Sequence, residues 1–125
     1  SFEQYTLARF ISRGHFEKHI NRTRKASRSR RNKLIELVKK HPLGERLTIL
    51  EEHAGLHFLL KLQTSLPDEV LSGALRKEGI RFPALGSFYH EKRQDLHILV
   101  VSYSGLREET MEKALDVLYE LTIDN

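Results

Sequence analysis

The sequence predicts an α+β fold: a small, mostly antiparallel sheet covered by helices, with a long helical segment at its N-terminal end. Three observations predict it. Residues 1–41 place apolar side chains at helical spacing. Two short strand-like runs follow, joined by a connection short enough for a hairpin. A capped helix, two more strand-like runs and a final amphipathic helix complete the order helix, helix, strand, strand, helix, strand, strand, helix. At 125 residues there is room for one modest domain with a core large enough to fold without staples.

Phe2, Tyr5, Leu7, Phe10 and Ile11 begin the helical pattern, and Gly14 breaks or kinks it, since glycine inside a helix costs about 1 kcal/mol relative to alanine. A second stretch from His15 puts Phe16, Ile20, Thr23, Ser27, Leu34, Leu37 and Val38 on its inner side. Pro42 ends it by driving the preceding residue out of the helical region. Between Ile20 and Leu34 the inner stripe is Thr23, Ser27 and Arg30 or Arg31, too little apolar surface to order a lone helix. Such a helix is expected to lean on protein beyond this chain. The absence of an initiator methionine at Ser1, with helical patterning from the outset, likewise reads as a piece of something longer.

Leu47–Leu50 and the alternating run Leu56–Leu62 are the expected hairpin. Ser65-Leu66-Pro67-Asp68 is a helix start with Ser65 as N-cap, and Gly79 sits where a helix terminates in a left-handed glycine. Ile80–Phe82 reads as a brief strand, and Gly86–Asp95 as a loop. Leu96–Tyr103 is apolar on both faces and is expected at the centre of the sheet. The last helix starts near Arg107 and buries Met111, Leu115, Leu118 and Tyr119.

Composition excludes several classes of protein. Without cysteine there are no disulfides, thiol nucleophiles or thiolate metal sites. No apolar run approaches the ~18 residues of a membrane span. Charge is asymmetric: from Arg9 to Lys40 there are twelve Lys or Arg against Glu17 and Glu36, whereas from Arg107 to Asn125 there are six acids against Arg107 and Lys113. The basic run Arg22–Lys33 offers phosphate contacts, yet it has no interleaved aromatic residue for stacking bases, and a solvated helix face explains it as well.

No complete active site is present. His15 and His19 stand at i, i+4 without a third ligand, and His57 and His97 fall in the strand-like runs. The serines lack a strand-turn-helix nucleophile context, and no glycine-rich phosphate loop occurs. The pairs Glu51/Glu52 and Glu108/Glu109 are turn and helix-start charges. Neither a catalytic residue nor a metal ligand is assigned.

Leu7–Leu34, LARFISRGHFEKHINRTRKASRSRRNKL, resembles the long-helix region that opens the C-terminal subdomain of fold-type I, pyridoxal 5′-phosphate (PLP)-dependent aminotransferases, most closely in the MocR subfamily of GntR-type transcription regulators. The matching positions are Phe10, Ile11, Gly14, His15, Phe16, Glu17, His19, Ile20, Arg22, Arg24, Arg30, Arg31 and Leu34. Ala54-Gly55-Leu56-His57 resembles the family's strand entry. Val101–Leu106, with Glu108-Glu109 and the final helix, resembles its ending.

The resemblance implies that residues 1–125 form a single C-terminal aminotransferase-like subdomain, a helical segment 1–41 followed by an α/β sandwich 46–125. It implies an upstream PLP-binding large domain, a winged-helix domain that contacts DNA, a cytoplasmic homodimer and an amino-acid-like effector. The cofactor is expected in the intact protein, bound mainly by the upstream domain, with none expected for this chain alone. Two departures stand out. The arginine that holds a substrate carboxylate in related enzymes corresponds to Val100, and the family's long-helix tyrosine to Ser27. Arg93 and Arg81 are the nearby arginines available to replace the carboxylate ligand. The competing readings are the small domain of a class I/II aminotransferase and a free-standing basic module that binds nucleic acid.

Overall fold

The computed structural model describes residues 25–51, 56–89 and 95–124. Helix α1 covers residues 25–40, followed by a 3-10 turn over Pro42–Arg46. Strands β1 (Leu47–Glu51) and β2 (His57–Leu62) precede helix α2 (Asp68–Lys77). A second 3-10 turn, Leu85–Phe88, leads towards strand β3 (Ile98–Ser102) and helix α3 (Glu108–Thr122). The strands form an antiparallel sheet in the order β1-β2-β3. The α+β class read from the sequence is the one observed.

Strand alternation divides the sheet into two faces. Phe58, Leu60 and Leu62 of β2 join Leu99 and Val101 of β3 on one side. Against them pack Leu71 and Leu75 of α2, Met111, Ala114, Leu115 and Leu118 of α3, and Leu34 and Val38 of α1. Burying each such Leu contributes about 2 kcal/mol relative to leaving it in water, so this one-sided core supplies most of the driving force. In α1 the stripe continues from Leu34 towards the N-terminus as half-buried Arg31 and Ser27, the polar inner face expected there.

The expected hairpin is present, with Leu47 opposite Leu62 and Glu51 opposite Phe58. β3 is not the central strand; β2 is. The outer edge of β3 is also covered, by an Ala84–Leu99 bridge and a Val100 N–H bond to the Pro83 carbonyl (2.8 Å). Ile80–Phe82 is therefore no strand but an extended approach to that bridge. The segment read as a loop from Gly86 contains most of the second 3-10 turn.

Ser65 does not cap α2. The N-cap is Pro67, whose side chain accepts nothing, and the first amide of the helix, Asp68 N–H, donates instead to Asp95 Oδ1 (3.0 Å). The other end matches the sequence: Gly79, at φ 77°, lets its own N–H reach Arg76 O and the Ile80 N–H reach Leu75 O, a Schellman closure. Gly14, Phe16, His15, His19 and Arg22 lie outside the described residues.

The corner between α1 and β1 is tied to α3. His41 Nδ1 accepts from Leu43 N–H (3.0 Å), which places the ring proton on Nε2, 2.7 Å from Asp116 Oδ1. Arg46 donates to the carbonyl of Thr122 (2.6 Å), a cation at the negative end of α3. Gly44 makes this corner possible, because a Cβ there would stand 2.6 Å from the Val38 carbonyl oxygen. Gly44→Ala is expected to lower stability by about 1–3 kcal/mol. Urea denaturation checks this, and a change near zero would show that the corner relaxes freely.

Candidate functional site

The reverse face of the sheet carries Thr48 and Leu50, then His57, Leu59 and Lys61, then Ile98, Val100 and Ser102. The register sets Leu50 opposite Leu59, and Leu59 opposite Val100, giving an apolar ladder across all three strands. Leu59 and Val100 are each 8% exposed, and Leu50 is 37% exposed. None of the three belongs to the core cluster on the other face. Lys61 is exposed and His57 half-buried at its margins. Hydrocarbon of this kind receives an apolar surface and offers nothing to a carboxylate.

Beside this face lies a polar junction that sequence reasoning missed. Asp68, 9% exposed, accepts from His97 N–H through Oδ1 (2.8 Å) and from Leu96 N–H through Oδ2 (3.2 Å). Together with the Asp95 carboxylate on the Asp68 amide, this clasps the approach to β3 onto the start of α2. His97 is not in a strand. It takes the left-handed conformation (φ 59°), with its carbonyl accepting from Leu62 N–H. The available signal was an aspartate directly after Pro67, a helix-start residue whose side chain is free to bond elsewhere.

Of the two candidate carboxylate ligands, Arg81 is exposed between buried Ile80 and Phe82, so its side chain leaves the core. Arg93 lies outside the described residues. From the basic run, Lys25, Arg28 and Lys33 are exposed on α1, and Arg30 donates to the Leu106 carbonyl (3.1 Å). Part of that charge therefore pins α1 to the entry of α3. Among the described residues no group of three or more His, Asp or Glu side chains is arranged to hold a metal ion, and no helix is long and apolar enough to cross a membrane.

No family model matches the chain. Individual proteins do. The chain is 34% identical over 116 residues to the probable rhizopine catabolism regulatory protein MocR of Rhizobium meliloti, covering 92% of this chain and 23% of that protein. Two uncharacterized HTH-type transcriptional regulators of Bacillus subtilis, YdeL and YhdI, are 37% and 32% identical over 84% and 92% of the chain, which covers 23% and 24% of them. Its sequence relatives are MocR/HTH-type regulators. The chain spans about a quarter of the length of these curated relatives.

The fold points to aminotransferases. The kynurenine aminotransferase of Pyrococcus horikoshii superposes with a TM-score of 0.68 at 20% identity, over 90% of this chain and 27% of the enzyme. The α-aminoadipate aminotransferase LysN of Thermus thermophilus gives 0.70 at 18% identity, over 91% and 29%. A multiple-substrate aminotransferase from Thermococcus profundus gives 0.71 at 14% identity, over 93% and 28%. This MocR-like chain thus has the architecture of an aminotransferase subdomain. The described residues on its reverse face do not fit PLP: the Leu50–Leu59–Val100 ladder offers neither a converging set of N–H donors nor a cation cluster for a phosphate.

Proposed function

We propose that residues 1–125 are the small subdomain of an aminotransferase-like, MocR-type transcription regulator, an effector-binding and oligomerisation unit with no catalysis of its own. The observation that carries this reading is that HTH-type regulators match 84–92% of a chain whose fold is that of aminotransferases. In the intact, cytoplasmic homodimer, PLP is held by an upstream large domain and DNA by a winged helix. The reverse face of the sheet turns towards the cofactor-bearing domain, and Arg93 or Arg81 supplies the cation for an effector carboxylate.

The aminotransferases among the fold neighbours favour a second reading, the small domain of a class I/II enzyme. Val100 weighs against it, since an α-carboxylate lodged on hydrocarbon loses hydrogen bonds worth several kcal/mol. The full-length protein decides between them. Titration with PLP followed by absorbance, and a gel-shift assay with its own promoter DNA, are expected to show both ligands bound without transamination of a panel of α-amino acids. Turnover without DNA binding assigns the chain to an enzyme, and binding of neither ligand overturns both readings. Arg93→Ala is expected to weaken the response to amino acids, and an unchanged affinity excludes Arg93.

A further inference from the structure

We infer that the outer edge of β1 is a docking site for an extended acidic segment of a partner protein, which adds to the sheet as a fourth strand. Antiparallel strands direct the N–H and C=O of alternate residues to opposite edges. Arg46 O accepts from Gln63 N–H on the β2 side, so Thr48 and Leu50 also bond towards β2, while Ile49 directs both its backbone groups outwards and Leu47 its carbonyl, the Leu47 N–H being held by Gly44 O. No strand among the described residues pairs with that edge. The corresponding edge of β3 is closed by Pro83 and Ala84, so the asymmetry is specific to β1. Edge strands are commonly blunted by a lysine, a proline or a bulge, and Leu47–Glu51 has none of these, its one charged residue being Glu51 at the last position.

An open cleft of about 380 Å³ runs beside this edge, between β1 and α1. Leu47 and Ile49 point to one face of the sheet and Thr48 to the other, so a cleft lined by all three follows the strand's edge. Its far wall is Ile35 and Val38, with Lys39 at the rim. These walls suit a strand that alternates apolar residues with others left in solvent. The rim selects the charge of those others. Arg28, Ile35 and Lys39 fall at i, i+7 and i+11 along one stripe of α1, and no described carboxylate pairs with Arg28 or Lys39. An incoming strand of alternating apolar and acidic residues meets backbone, hydrocarbon and positive charge together. This inference does not depend on the regulator reading.

The test uses the full chain and a fluorescent peptide alternating valine and glutamate, with binding followed by anisotropy. Saturable binding is expected, weakened about fivefold by Lys39→Glu, which changes an exposed side chain and leaves the core intact. N-methylation of every second peptide residue separates pairing from mere charge attraction: one methylated register is expected to abolish binding and the other to preserve it. Equal loss in both registers, or equal binding by a valine–lysine peptide, overturns the proposal. So does sedimentation showing that the chain dimerises through β1 and that the peptide does not compete. Binding that survives Lys39→Glu undiminished overturns it as well.

Discussion

Phe58→Ala is expected to lower the free energy of unfolding by about 3–5 kcal/mol, the largest loss expected for a single truncation among the described residues. Phe58 is fully buried on the central strand, and its ring stacks on Tyr103 with centroids 5.9 Å apart and planes 24° apart. Truncation removes the apolar area and opens a void on the core face of the sheet, beside the Tyr103 ring, where the close-packed surroundings limit collapse. Phe88 is the control: it is 64% exposed, and Phe88→Ala is expected to change stability by no more than about 0.5 kcal/mol. Urea unfolding followed by far-UV circular dichroism compares the two. Losses of similar size would mean that the core does not centre on β2.

Asp68→Ala is the second large effect, about 2–5 kcal/mol, and it arises from polar chemistry. Truncation leaves the Leu96 and His97 N–H groups without their acceptor at a partly buried junction, each costing about 1–3 kcal/mol. His97 also sits in a left-handed conformation that costs about 1–2 kcal/mol for a residue other than glycine. The clasp helps to hold it there. Asp68→Asn keeps one acceptor oxygen and is expected to lose about half as much. Hydrogen exchange gives a readout that global stability does not: the Leu96 and His97 amides should exchange faster in Asp68→Ala at matched overall stability. Unchanged protection of those two amides would refute the clasp.

What is legible in the sequence follows the physics of each element. Helix α3, the β1–β2 hairpin and the Gly79 stop are readable because their signals are local: periodicity, alternation and a left-handed glycine. The polar inner face of α1 is readable for the same reason, and Arg31 and Ser27 lie where the helical spacing puts them. The position of β3 is not. An apolar strand looks the same whether its second edge is covered by a full strand or by one bridge from Ala84. The N-terminus of α2 is hidden because its capping carboxylate, Asp95, lies 27 residues away, beyond any sequence window. At the candidate site, Val100 is singled out by resemblance alone. The apolar ladder around it requires the strand register, which periodicity within one strand does not contain.

The two bonds from the α1–β1 corner to α3 also bear on how the chain folds. His41 to Asp116 and Arg46 to Thr122 join residues 75 and 76 positions apart, so the first corner to leave the ribosome waits for the last helix. Contacts of such separation raise contact order and slow folding. During synthesis, the apolar stripe of α1 that packs in the shared core stays incompletely covered until α3 emerges. The subdomain therefore closes late, with part of its apolar core surface exposed until its last helix is made.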